Sequence, residues 1–222
     1  MLRKLAPLIC GSAALSLLSL SGASAQAQTT PPAVPADPPA WSAFKQTWEG
    51  VSAYSATVAV YEREGTQVQS WVLDYTFRKP SSATVHFTTG ANAGATVVWS
   101  GGDTVVARRG SGLMALFRRT FSLHDPAVTT IRGSSIEQLS FASLLAHSKA
   151  TPGTLSQEAG PAIVDIPTAS VTLVPSSSSI DAGLTREIVD ISAPTNLPLR
   201  VLAYEGDTLV RQVDFSNIKL QP

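Results

Sequence analysis

Cysteine is almost missing from this chain. The 222 residues contain only Cys10, which sits inside an early apolar stretch, follows the bulky Ile9 and comes too soon to be a lipoprotein acylation site. The remaining sequence therefore supports neither a disulfide nor a thiolate metal site, and its stability must come from burial. Charge is scarce too, with 16 basic and 16 acidic residues together making 14% of the chain. Nothing in that balance suggests nucleic acid as a partner, because such a surface requires a basic face. Recognisable catalytic patterns are also lacking. There is no Gly-x-Ser-x-Gly nucleophile turn, and Ser42-Ala43-Phe44-Lys45 has a serine–lysine spacing without the companion motifs that give it meaning. His86, His124 and His147 are far apart and have no carboxylate at ligand spacing, so a zinc site is not expected. The chain reads as a non-enzyme without a cofactor.

The N-terminus has the three parts of an export signal. Arg3 and Lys4 form a positive start, Leu5 to Leu20 an apolar middle, and Ala23-Ser24-Ala25 or Ala25-Gln26-Ala27 a small-residue exit. Residues 1–25 are expected to be a cleaved signal peptide. A retained membrane anchor is the competing reading, but Pro7, Gly11 and several serines interrupt a run shorter than the roughly 20 residues that span a bilayer. Without Arg3 and Lys4 the chain has 14 basic against 16 acidic residues, a net charge of −2. Export without disulfides fits a bacterial periplasm at least as well as a eukaryotic extracellular space.

Residues 26–39 are rich in Pro, Ala and Thr and cannot bury enough apolar surface to order themselves, so a flexible tether is predicted. A single domain over 40–222 follows. Asp37-Pro38 opens a helix in which Trp41, Phe44, Trp48 and Val51 share one stripe while Lys45, Gln46 and Glu49 lie off it. Strands are then predicted at Tyr54–Glu62, Val68–Lys79, Ala83–Thr88, Ala95–Trp99 and Thr104–Arg108. Met114–Leu123 reads either as a strand or as a lid. Ser134-Ser135-Ile136-Glu137 has capping-box spacing and predicts a helix to about Lys149, with Ile136, Leu139, Phe141, Leu144 and Leu145 inward. Further strands are predicted at Thr154–Glu158, Ala162–Ile166, Ser170–Val174, Thr185–Ser192, Leu197–Glu205 and Thr208–Ile218. Gly206-Asp207 forms the last hairpin, and Pro175–Ser179 is a plain loop. About eleven strands joined by short connections make one antiparallel sheet, because parallel crossovers need a dozen residues or more. A sheet this wide coils into a barrel or a half-open barrel, with two helices covering its concave side.

The most informative stretch is VQSWVLDYTFRKP followed by SSATVHF. Trp71, Leu73, Tyr75 and Phe77 alternate onto one strand face, and Lys79 continues that face before Pro80. A cation that extends an aromatic row implies either a wet mouth or an apolar cavity with a charged rim. For each aromatic taken singly, ordinary core is the plainer reading, and the same holds for Trp41, Phe44 and Trp48. Lys79 reads equally as a solvated strand-end charge or as a rim residue. Arg108-Arg109 and Arg118-Arg119 could meet lipid headgroups at a cavity mouth, but the near-neutral net charge favours plain solvated charges.

These runs, with VSAYSATVAVYEREG, VVWSGGDTVV and LPLRVLAYEGDTLVRQVDFSNIKL, resemble the periplasmic lipoprotein-carrier (LolA/LolB-like) superfamily from about Trp41 to the end. The resemblance implies an incomplete antiparallel barrel closed by helices around a hydrophobic cavity. It also implies that acyl chains of lipoproteins, or phospholipid, are carried between an inner-membrane donor and an outer-membrane acceptor by a monomer. In that family a basic residue before the proline, usually arginine, ties barrel to lid. Lys79 stands there in this chain, and it lacks the planar fork that bonds two carbonyls at once. The expected ligand-cavity residues are Trp41, Phe44, Trp48, Trp71, Leu73, Tyr75 and Phe77, with Lys79 as latch or rim. The alternative is an envelope sensor or assembly module that binds a protein segment on the same concave sheet.

Overall fold

A computed structural model describes residues 36–90, 92–110 and 118–222 of the chain. The expected signal peptide, most of the tether and the 114–117 part of the ambiguous segment lie outside the described residues. Helix α1 (Pro39–Glu49) comes first. Strands β1 (Ala53–Glu64), β2 (Gln67–Arg78), β3 (Ser82–Phe87), β4 (Ala95–Trp99), β5 (Thr104–Arg109) and β6 (Arg118–Ser122) follow. After helix α2 (Phe141–Ala150) come β7 (Gly153–Ala159), β8 (Thr168–Pro175), β9 (Arg186–Ser192), β10 (Pro198–Glu205) and β11 (Thr208–Gln221). All eleven strands form one antiparallel sheet in the order β6-β5-β4-β3-β2-β1-β11-β10-β9-β8-β7, so the sheet is not closed. This is the half-open barrel the sequence predicts.

Period-two alternation places one face of every strand inward. Across the β1–β2 ladder Tyr54 faces Phe77, Ala56 faces Tyr75, Val58 faces Leu73 and Val60 faces Trp71. The first three residues of that strand face and their partners are buried, whereas Trp71 is only half-buried. Helix α1 presents Trp41, Phe44 and Trp48 to the same interior, because three- and four-residue steps keep them on one stripe. Phe141 of α2 stacks on Tyr54 with ring centroids 4.4 Å apart, and Phe44 and Trp48 meet Phe141 edge-on at 5.8 and 6.0 Å.

Helix α1 is a strut between the two arms of the sheet. Near its start the Ala40 N–H donates to Gln157 Oε1 of β7 at 2.8 Å. At its end Lys79 Nζ donates to the Trp48 carbonyl at 2.5 Å, approaches the Glu49 carbonyl at 3.5 Å and lies 4.3 Å from the Trp48 ring centroid. Carbonyls at a helix C-terminus have no helical partner and attract cations, which explains the placement.

Several local predictions need correction. The helix predicted from Ser134 to Lys149 is two pieces: a 3₁₀ helix over Ile136–Leu139, capped by Ser135 and Gln138, and then α2 capped by Ser140. The capping box moves one residue along because the Ser134 hydroxyl is committed to Glu62 Oε1 at 2.9 Å. The break at Ser140 is stabilised from the sheet, where the Tyr54 hydroxyl donates to the Leu139 carbonyl at 3.4 Å and accepts from Phe141 N–H at 3.3 Å. Burial pushes the Tyr54 pKa far up, with the Phe141 N–H pulling the other way. Ala162–Ile166 is no strand. Ile163 and Ile166 pair across a two-residue turn in which Val164 and Asp165 take positive φ values of 49° and 63°. Pro175–Ser179 leads into a 3₁₀ turn at Ser178–Ile180, and the ambiguous segment contributes β6.

Helix α2 meets the other arm through a charged cluster. His147 Nε2 lies 3.3 Å from Asp181 Oδ2, while buried Glu187 of β9 and Arg211 of β11 complete the surroundings. The Asp181 carboxylate raises the His147 pKa above 6.5 against the opposing effect of burial. Burial raises Glu187 above 4.5, with His147 and Arg211 acting against it.

Two predictions follow from these anchors. Tyr54→Phe leaves a half-buried carbonyl and a buried N–H without their hydroxyl partner, so urea unfolding should show a loss of about 1–3 kcal/mol. An imidazole whose folded pKa is raised stabilises fully below the unfolded value and loses that contribution as pH rises through the folded value. The stability difference between wild type and His147→Gln should therefore be largest below about pH 6.5 and shrink above it, read from urea curves across pH.

Candidate functional site

The aromatic cluster fills only one end of the concave face. Toward the other end the inward residues become smaller: Tyr75 faces Val85, Val85 faces Val97, Val97 faces Ala107, and Ala107 faces Arg119 on the edge strand. Small side chains on β4 and β5 leave the concavity unfilled. A cavity of about 450 Å³ results, within the usual range for small-molecule pockets. Its floor is built from Trp71, Leu73, Val85, Phe87, Val97 and Phe121.

A strap running from Leu123 to the 3₁₀ helix forms the roof, with Val128, Ile136 and Leu139 turned to the cavity. The strap is secured by apolar burial, with Leu123 and Ile136 in the core and Val128 and Leu139 packed against it, and by polar contacts to the rim. Glu62, fully buried at the end of the inward row of β1, accepts from the Ser134 hydroxyl at 2.9 Å and from Arg132 N–H at 3.4 Å. Arg211 Nε stands 3.7 Å from the same carboxylate. Gln69 Oε1 accepts from Ile131 N–H at 3.0 Å, and the Arg132 guanidinium reaches the Arg63 carbonyl at 3.1 Å and Glu205 at 2.5 Å. A buried carboxylate is tolerable only with such partners, so Glu62 positions the strap by needing it.

The predicted ligand-cavity residues divide into two groups. Trp71 and Leu73 line the hollow. Tyr75, Phe77, Trp41, Phe44 and Trp48 instead belong to the packed aromatic cluster, and Lys79 lies at the end of α1. Tyr75 also donates its hydroxyl to the Ile136 carbonyl at 3.3 Å, fixing the 3₁₀ helix from below. Residues the sequence reading did not single out are Val85, Phe87, Val97, Ala107, Phe121 and the strap. The only sequence signal for them is the run of small or β-branched residues at alternate positions of β3 to β5.

A second cavity, of about 230 Å³, lies between α2 and the β9–β11 arm and includes the His147–Asp181–Glu187–Arg211 cluster. Its charged walls make it unsuited to an apolar guest. Among the described residues no group of His, Cys, Asp and Glu is arranged to hold a metal. Lys45 of the serine–lysine pair is exposed and bound to Asp37 at 2.7 Å.

No protein-family model and no curated protein matches the chain. Among solved structures it is similar to the lipoprotein LppX of Mycobacterium tuberculosis, at 16% identity and a TM-score of 0.49, over 81% of this chain and 92% of that one. It is also similar to a putative outer membrane lipoprotein-sorting protein domain of Vibrio parahaemolyticus, at 13% identity and a TM-score of 0.43, over 82% and 91% of the two chains. A LolA superfamily protein of Nitrosomonas europaea matches at 12% identity and a TM-score of 0.37, over 82% and 94%. These are loose likenesses, and no ligand, partner or activity transfers from them to this chain.

Proposed function

We propose that this chain is an exported, periplasmic binding protein that shelters acyl chains of a lipid or lipoprotein and passes them between envelope membranes. The observation that carries this reading is the preformed hollow of about 450 Å³, floored by apolar rows and roofed by a strap. Each methylene moved from water into such a space contributes about 0.8 kcal/mol, so a guest burying some ten methylenes gains about 8 kcal/mol before ordering costs. The outer strap ties, such as Gln69 to Ile131, are hydrogen bonds that exchange with water at modest net cost, whereas the ties to buried Glu62 hold the strap more firmly. Binding and release therefore need no chemical step. Transfer requires an acceptor that binds the guest more tightly, and a monomer suffices to carry it. Lys79 acts as the latch of α1, a single short bond with a cation over an indole in place of a forked guanidinium.

Native mass spectrometry of the protein purified without detergent should show a co-purifying lipid. Ala107→Trp fills the floor and should lower retention of a fluorescent fatty-acid probe by about tenfold with little change in fold. A wild type that retains no lipid but captures a peptide on the same face overturns this reading in favour of a protein sensor. Lys79→Leu should cost about 1–2 kcal/mol and speed hydrogen exchange in α1. It should also shorten probe retention, and unchanged retention removes Lys79 from the gating mechanism.

A further inference from the structure

The apolar rows that floor the cavity do not end in apolar residues. On β6 the inward row passes from Phe121 to Arg119, which faces Ala107 directly. On β5 it passes from Val105 and Ala107 to Arg109, which faces Ala95. Both arginines line the cavity beside Arg108, at the end where β5 and β6 leave it, and all three are exposed to water. Strands β4, β5 and β6 carry four arginines and no carboxylate. The one carboxylate in the cavity wall, Glu62, is already met by Ser134, Arg132 and Arg211. Arg109 already makes a contact within the chain, whereas Arg119 forms none of the ion pairs among the described residues. The mouth is therefore positive in a chain whose overall charge is near zero.

We propose that Arg109 and Arg119 form a subsite for a phosphate-bearing headgroup, so that the guest is an anionic amphiphile with its chains in the hollow and its phosphate at the β5–β6 mouth. This rests on the acyl-binding reading above. A guanidinium offers a planar fork that matches phosphate oxygens two at a time, and two such groups on neighbouring strands are spaced to share one phosphate. Their exposure suits a headgroup that stays hydrated while the chains leave water. The arrangement also fixes polarity, since the guest enters chains first and keeps its charged end outward.

The test uses the full chain, delipidated and incubated with vesicles of phosphatidylglycerol, of phosphatidylcholine, or with inorganic phosphate alone, and counts retained lipid by native mass spectrometry. Wild type should retain phosphatidylglycerol about tenfold better than phosphatidylcholine, the scale expected of water-exposed charge-assisted contacts. Arg109→Gln with Arg119→Gln should abolish the preference by lowering phosphatidylglycerol retention about tenfold, with a smaller loss for phosphatidylcholine, whose phosphate is partly neutralised by its own choline. Arg118→Gln removes a charge from the same strand at a position outside the cavity wall and should leave the preference intact.

Equal retention of the two lipids, or a preference that survives the double substitution, overturns the headgroup site while the acyl cavity stands. So does an Arg118→Gln effect as large as that of the pair, which indicates general electrostatic steering. Tight binding of inorganic phosphate without lipid assigns the arginines to a free anion. Association of the double variant on size exclusion with unaltered lipid preference makes them guards of an edge strand. Retention of neither lipid removes the acyl cavity and the headgroup site together.

Discussion

The pairing of β1 with β11 holds the two arms of the molecule together. Every other ladder joins strands that follow one another in sequence, but this one joins the first strand to the last, from Ala53 opposite Gln221 to Glu62 opposite Arg211 with one register shift between Ser55 and Thr57. Without it the chain would be two independent meanders, each with a bare edge and half an interior. With it, β1 becomes the spine of a sheet wide enough to curl. The inward residues of β1 then touch everything of consequence: Tyr54 the aromatic cluster, Val60 the hollow and Glu62 the strap.

The interior is built unevenly, and the unevenness has a plain cause. Large rings crowd the end near α1, where Trp41, Phe44, Trp48, Tyr54, Phe77 and Phe141 satisfy one another by edge and face contacts. Beyond the middle of the sheet the same rows continue in Val and Ala, and neither α1 nor α2 descends to replace the lost volume. A strap lies over the gap instead. Close packing is the norm for protein interiors, so a void flanked by well-packed rings is a built feature rather than slack.

Much of the architecture could be read from the sequence because burial of one face imprints alternation on each strand. The strands around Val58, Tyr75 and Val213 and the tight turn at Gly206-Asp207 were visible for that reason. Where local signals failed, a distant partner decided. Ser134 has ideal capping spacing, yet its hydroxyl serves a carboxylate 72 positions away. Ile163, Val164 and Ile166 are β-branched, yet Val164 and Asp165 form a turn across which Ile163 and Ile166 pair. The hollow itself was only half legible. A row of Trp71, Leu73, Tyr75 and Phe77 announces an interior face, but the point where filling stops depends on side-chain volumes on β4 and β5, which periodicity does not record.

The two unpaired borders, at β6 and β7, give this scaffold a freedom that a sealed cylinder lacks. A closed barrel has a bore fixed by strand number and stagger, and enlarging it means tearing a ladder apart. An open sheet can uncoil slightly with all of its ladders intact, so its hollow can change width by bending. The resisting element is then α1, whose two end contacts, at Gln157 and at Lys79, set how far the arms can spread. On the carrier reading proposed above, selectivity for girth is thus a matter of the stiffness of one short helix and its moorings.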